Sequence, residues 1–417
     1  SRASIRGGFV FLPSREEFQM RAKVAEGRFC VFLLVVALTS VVGRTAGNAE
    51  LRLKLLGSRF PSAVCLDGSS AGYYLRDNNA SKWLLFFEGG AWCYDHDSCE
   101  GTVQGTLERC QHRATTDMGS SLAWAQTREY TGWLSADVTE NPVFFDWNLV
   151  FLAYCDGTSF SSNATVNGLH FRGRAILHSI VRDLLDSTAI RDADTVVVAG
   201  ESAGGTSVLY HGDTVAKLLG LDRGRVLGLS DSGFLMDLAE SSGEHCWANQ
   251  MRLLFNMTNA VAGLHEGCLA LYNATDTWKC IFPEHFAHVV TTPTFLMQAQ
   301  YDAIELWFAM KLFQETSMVR RVRDLKRFQQ LPFVHGHAWG PLVSRPGSGV
   351  WAPACVGHKL GQFKWTEADW AVPSGSGNTM AVAVQSWLDG LNSNFADVVE
   401  WPLNEGCAKP SHMPTFH

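Results

Sequence analysis

Short apolar runs alternate with stretches of helical periodicity along most of this chain. Residues 83–87 (WLLFF) read as a strand that ends at Glu88-Gly89-Gly90, and residues 149–154 read as another, closed by Cys155-Asp156-Gly157. Ile176, Ile180, Val181, Leu184 and Leu185 then recur at the spacing of one helix face. Residues 195–199 (TVVVA) are continuous, short and β-branched, the pattern of a strand buried on both faces. A helix is expected over Ala203–Leu219, further central strands over 226–229 and 294–299, and a late helix over 380–391. Strands separated by helices require crossovers, so the pattern predicts an α/β protein with a mostly parallel sheet. Residues 93–146 are rich in Cys, Gly and Thr without clear periodicity and read as an insertion or cap. No internal repeat is evident.

The N-terminal region has another character. Arg21 and Lys23 follow Met20, the apolar run 29–42 comes next, and small residues continue to Ala49. That run is shorter than the roughly 20 residues needed to span a bilayer, so it reads as a signal-peptide core rather than a membrane anchor. Gly47-Asn48-Ala49 places cleavage after Ala49, leaving residues 50–417 as a single catalytic domain with no stable membrane insertion. Composition agrees with a large, aromatic core: 46% of the 417 residues are hydrophobic and 18% charged, with 14 Trp and 25 Phe. A net charge of -7 without a basic run argues against a nucleic-acid partner. Of 11 Cys, Cys30 lies in the leader; the rest form an even set with no C-x-x-C spacing, which favours disulfides over zinc. Glycosylation sequons stand at Asn79, Asn163, Asn256 and Asn273. Secretion is the expected route.

The chemistry centres on Gly200-Glu201-Ser202-Ala203-Gly204, which matches the G-x-S-x-G nucleophile elbow. A second match, Gly68-Ser69-Ser70-Ala71-Gly72, tests how much context matters. An elbow needs a buried strand running into the turn and a helix leaving it, and only Ser202 has both; Ser70 reads as a turn serine. A nucleophilic serine also needs donors for an oxyanion. The N–H of Ala203 follows the nucleophile, and the glycine-rich loop after residues 83–87 offers Gly90 and Ala91. In the order nucleophile, acid, base, Asp302 follows the late strand at 294–299, while Asp231 also follows a strand but earlier than expected. His335, His337, His358, His412 and His417 lie downstream, and spacing leaves the His335-Gly336-His337 loop and His358 in competition for the base.

Taken together, these residues resemble the pectin acetylesterase and Notum carboxylesterase family. The landmarks are Cys65-Leu66-Asp67-Gly68 with Tyr73-Tyr74, then Phe87-Glu88-Gly89-Gly90-Ala91-Trp92-Cys93 and Tyr154-Cys155-Asp156-Gly157. The Ser202-Ala203-Gly204-Gly205 elbow and Asp231-Ser232-Gly233 follow, then Cys280-Ile281-Phe282-Pro283, Gln300-Tyr301-Asp302 and Ala354-Cys355-Val356-Gly357-His358. The resemblance implies an α/β-hydrolase fold with Ser202, Asp302 and His358 as a catalytic triad and oxyanion donors at Gly90, Ala91 and Ala203. It also implies the disulfides Cys65–Cys155, Cys93–Cys99 and Cys355–Cys407, with Cys110, Cys246, Cys268 and Cys280 unassigned. The chain departs from the family at Glu201, where many relatives carry Cys or Ser, and at Ala91-Trp92, which is closer to the plant-type loop. The expected function is a secreted serine carboxylesterase that removes acetyl groups from a glycan such as pectin. The alternatives are removal of a fatty acyl group from a secreted protein, and an inactive hydrolase scaffold that binds a partner. No metal or cofactor is expected, since H-E-x-x-H, P-loop and dinucleotide fingerprints are absent from the sequence.

Overall fold

The computed structural model describes residues 50–222, 224–311, 318–399, 403 and 407. The expected leader, His412 and His417 lie outside the described residues. Ten strands form the main sheet: β1 (Leu51–Leu55), β2 (Gly72–Arg76), β3 (Lys82–Phe87), β4 (Thr127–Arg128), β5 (Asn148–Leu152), β6 (Thr195–Glu201), β7 (Val226–Asp231), β8 (Thr294–Met297), β9 (Gly349–Ala352) and β10 (Asn394–Ala396). Their order is β10-β9-β8-β7-β6-β3-β5-β2-β1-β4. From β10 to β5 every pairing is parallel, and β2, β1 and β4 add an antiparallel edge. This is the α/β class that the pattern predicts.

Strand β6 lies in the middle of the sheet, where both faces are covered. Val196, Val197, Val198 and Ala199 are accordingly fully buried. Six helices of eight residues or more accompany the sheet among the described residues: α1 (Val103–Arg113), α2 (Gly173–Ser187), α3 (Ala203–Leu219), α4 (Cys246–Met257), α5 (Met318–Val343) and α6 (Met380–Leu388). Helix α2 buries Ile176, Ile180, Val181 and Leu184, four of the five positions named from periodicity. Helix α3 starts directly after the elbow and stops where Gly220, at φ 66, takes the left-handed conformation that glycine adopts without penalty. The 93–146 insertion carries α1 and donates β4 to the sheet edge, so it is integrated with the main body at both places. Ser70, expected as a turn residue, instead makes an isolated antiparallel bridge with Val64, and its Oγ accepts the Gly57 N–H at 2.7 Å.

Five disulfides close among the ten cysteines beyond the leader. Cys65–Cys155 and Cys355–Cys407 pair as the resemblance implies. Cys93–Cys99 does not form. Cys93 is bonded to Cys110, Cys99 to Cys246, and Cys268 to Cys280. The reason is the direction of α1: Cys110 sits on its buried face with Thr106 and Leu107, turned toward Cys93. Residues 98–100 are instead held against α4, where Gln250 donates to the Ser98 carbonyl and Asn249 to Glu100. The bridges 93–110 and 99–246 span 17 and 147 residues, and in the chain-entropy account the longer one constrains the unfolded chain by about 2 kcal/mol more. Peptide mapping without reduction should return 93–110 and 99–246 cross-links; a 93–99 peptide would contradict this arrangement.

All four sequon asparagines are exposed. Among the described residues, no helix is long and apolar enough to cross a membrane.

Candidate active site

The elbow follows from the sequence around β6. Ser202 lies between strand and helix at φ 55, ψ -125, a conformation outside the comfortable wells of an L-residue. Such strain persists only where the surroundings enforce it, and here the flanking glycines allow the necessary crowding. A Cβ on Gly200 would stand 2.4 Å from the Gly204 carbonyl oxygen, and one on Gly204 would stand 2.1 Å from that of Phe87. Neither position admits another residue without moving backbone.

Asp302 and His358 reach Ser202 through a small parallel pairing in which Asp302 is opposite Gly357. His358 Nε2 is 2.8 Å from Ser202 Oγ, and His358 Nδ1 is 2.9 and 3.1 Å from the two Asp302 oxygens. Asp302 is fully buried and also accepts from Gln298 Nε2 at 3.0 Å and from the Ile304 N–H at 2.8 Å. The structure therefore brings together the three residues named as nucleophile, acid and base. The competing histidines lie elsewhere. His335 is buried, paired with Glu305 at 2.5 Å and with the Gln300 carbonyl at 3.0 Å; His337 is exposed.

Burial alone would lower the His358 pKa, but the Asp302 charge and hydrogen bond, with Asp231 nearby, outweigh it and raise it above the ordinary value. A base must be neutral to accept a proton, so a raised pKa moves the loss of activity to higher pH. The acid limb of the kcat/KM profile should therefore have its midpoint above 6.5, the unperturbed histidine value. A midpoint below that value would contradict the Asp302–His358 arrangement.

Asp231, the other acid considered, has a different task. Its backbone carbonyl accepts the Ser202 N–H at 2.8 Å. Its carboxylate accepts the Leu360 N–H at 3.1 Å, the Gly361 N–H at 2.8 Å and the Ser232 hydroxyl at 2.9 Å. Ser232 Oγ in turn accepts the Lys359 N–H. Asp231 thus ties the nucleophile turn to the segment following His358. Burial pushes its carboxyl up to about 7, against the hydrogen bonds from Gly361 and its neighbours. Lys359 Nζ adds a second tie at 3.1 Å to Glu201. Sequence reasoning missed this pair, although Glu201 was visible as an unusual residue beside the nucleophile.

The glycine-rich loop passes directly over the elbow, since a Cβ on Gly89 would lie 3.2 Å from Ser202 Cβ. Gly90 and Ala91 follow at φ 145 and φ 53. Ala203 is the first residue of α3, where helix N–H groups have no intrahelical acceptor and are available to a ligand. Its carbonyl is occupied by Ser159 Oγ and Ser207 Oγ, and Trp92 Nε1 donates to the same Ser159 oxygen. A serine, an imidazole and a buried carboxylate in series, beside the glycine-rich loop and the N-terminus of α3, can support acyl transfer. The one described cluster of metal-ligand types, Cys99, Glu244 and Cys246, has both sulfurs in a disulfide and so offers no thiolate.

Comparison with known proteins gives this geometry a lineage. The family model for pectinacetylesterases matches residues 45–408. This chain belongs to the pectinacetylesterase family. Its relatives include palmitoleoyl-protein carboxylesterase notum2 of Xenopus laevis, 30% identical over 84% of this chain and 71% of the relative. Pectin acetylesterase 5 of Arabidopsis thaliana is 29% identical over 83% of this chain and 82% of its own length. Palmitoleoyl-protein carboxylesterase NOTUM of Homo sapiens is 33% identical over 88% and 71%. As a pectinacetylesterase-family member with carboxylesterase relatives, the protein is a carboxylic ester hydrolase acting on an acylated substrate.

Proposed function

We propose that the protein is a secreted serine carboxylesterase that removes acetyl groups from a glycan such as pectin, using Ser202, His358 and Asp302. Ser202 Oγ attacks the ester carbonyl while His358 Nε2 takes its proton, and Asp302 holds the ring and offsets its charge. The tetrahedral oxyanion rests on backbone N–H groups at Gly90, Ala91 and Ala203. Collapse breaks the ester C–O bond, and His358 returns the proton to the departing sugar hydroxyl. Water then attacks the acetyl-enzyme by the same route, releasing acetate and restoring Ser202. The disulfides, the exposed sequons and the expected leader support an extracellular or cell-wall location and glycosylation.

The acetyl-glycan reading is supported by a cleft that begins at Trp92, next after the oxyanion loop, with a lining separate from Ser202, His358 and Asp302. This cleft has a volume of about 480 Å³, and Trp92 and Tyr94 line it together with His96, Arg109, His112 and Arg113. Aromatic faces interspersed with hydrogen-bonding and charged groups suit a hydroxyl-rich ligand. The cavity at Gly89 and Gly90, about 240 Å³, combines Phe86, Tyr130, Trp133, Leu134 and Phe151 with Glu88, Glu201 and Lys359. The relatives named as palmitoleoyl-protein carboxylesterases supply the second reading, removal of a fatty acyl group from a protein. A chain-length series separates the two. With nitrophenyl esters, kcat/KM for acetate should exceed that for octanoate at least tenfold, since even one misfitting methylene costs about 1–3 kcal/mol, and acetate should be released from acetylated pectin. A preference for octanoate or longer esters would transfer the assignment to the fatty-acyl reading.

A further inference from the structure

The oxyanion loop is gripped from behind at two consecutive carbonyls. Arg113 Nη1 donates to the Gly90 carbonyl at 2.8 Å, and the Tyr154 hydroxyl donates to the Ala91 carbonyl at 3.0 Å. In a trans peptide the C=O and the following N–H point to opposite sides. Anchoring the Gly90 carbonyl therefore fixes the direction of the Ala91 N–H, a candidate oxyanion donor. The loop needs such anchoring. Gly90 has no Cβ to resist rotation, and Ala91 occupies the left-handed region that alanine disfavours.

Arg113 is itself held in place. It is the last residue of α1, its Nε donates to the Met118 carbonyl at 3.0 Å, and its guanidinium lies 4.8 Å from the centre of the Tyr154 ring. Cys110, three residues earlier on the same helix face, is bridged to Cys93, two residues beyond Ala91. Helix α1 thus holds the loop on either side of the donor. The remaining guanidinium nitrogen, Nη2, is buried without a hydrogen-bond partner, so positive charge lies behind the Gly90–Ala91 peptide. A charge-assisted bond to the carbonyl polarises the peptide so that its N–H donates more strongly on the other side.

We infer that Arg113, braced by Tyr154, is a positioning residue of the oxyanion hole: it aims and polarises the Ala91 N–H toward the carbonyl that Ser202 attacks. The inference rests on the proposed role of Ser202. Because the bond it controls matters only when negative charge develops, its loss should appear in kcat rather than in substrate binding.

The test is steady-state kinetics on nitrophenyl acetate with the full chain, paired with inhibition by an alkyl boronic acid that forms a tetrahedral adduct on serine. Arg113→Met should lower kcat about 100-fold, the scale for loss of an oxyanion donor, with KM within about threefold of wild type. Boronate affinity should fall in parallel with kcat/KM. Arg113→Lys should fall between, because lysine keeps the charge but cannot hold both carbonyls with one planar fork. Tyr154→Phe should lose about tenfold in kcat. If Arg113→Met does not fold, Arg113→Lys and Tyr154→Phe carry the test. A kcat within threefold of wild type in the folded Arg113 variants, or a loss confined to KM with boronate affinity unchanged, would overturn the inference. That failure is distinguishable from failure of the nucleophile reading. In the first case Ser202 is still labelled by a fluorophosphonate; in the second Ser202→Ala retains activity.

Discussion

Ser202→Ala is expected to lose at least about 10⁴-fold in kcat on nitrophenyl acetate, while Ser70→Ala remains near wild type. The magnitude follows from removing the atom that forms the acyl-enzyme, an effect on the order of 10⁶ when a triad serine is lost. The contrast follows from the surroundings of the two serines. Ser202 Oγ is 2.8 Å from His358 Nε2 and is presented by a strained turn that the β6 strand and the α3 helix enforce. Ser70 Oγ accepts from the Gly57 N–H and donates to its neighbour's carbonyl, so backbone groups and not a base hold it. The Ser202→Ala side chain fits the same space, so its thermal midpoint should move little. Substantial activity in a folded Ser202→Ala protein would remove the basis of the proposed mechanism.

His358→Ala is expected to lose kcat by a similar order, because members of a triad act as a unit and single losses approach the loss of all three. His335→Gln should separate structure from chemistry. His335 is buried against Glu305 at 2.5 Å, and breaking the buried pair takes the imidazole from Glu305, which keeps the Met236 N–H. The expected result is lower thermal stability with kcat retained in the protein that remains folded. Loss of kcat in His335→Gln with near-normal activity in His358→Ala would reverse the two assignments. Circular dichroism alongside initial rates distinguishes unfolding from inactivation in each variant.

The elbow was readable because two independent signals coincide there. The run 195–199 must be buried on both faces, and only glycines tolerate the approach of Gly204 to Phe87 that follows. His358 was not readable from spacing, since the choice between it and His335 depends on a parallel pairing of Tyr301–Asp302 with Val356–Gly357 that joins residues far apart in sequence. Resemblance to the family broke that tie. The expected Cys93–Cys99 pairing failed for the same physical reason: Cys99 meets Cys246 across 147 residues, and nothing local to Cys99 records that approach. Helix α5 escaped notice because Pro332 and Pro341 lie inside it, and proline normally ends a helix by removing a donor. Strand β1, next to one edge, and the edge strand β10 are short and half exposed, so neither carries a continuous apolar run. The supports behind the site were hidden most completely. Asp231, Lys359 and Arg113 are ordinary charged residues in sequence, and only the fold shows which groups they hold.

The account as a whole stands on one covalent bond, and mass spectrometry of the labelled protein tests it most directly. After treatment with a fluorophosphonate at neutral pH, the digest should carry the phosphonyl adduct on the peptide containing Ser202. Labelling should vanish in Ser202→Ala and slow by orders of magnitude in His358→Ala, since the hydroxyl needs its base to attack. An adduct mapped to Ser70 or to any other residue, with Ser202 unmodified, would contradict the proposed nucleophile and the mechanism built on it.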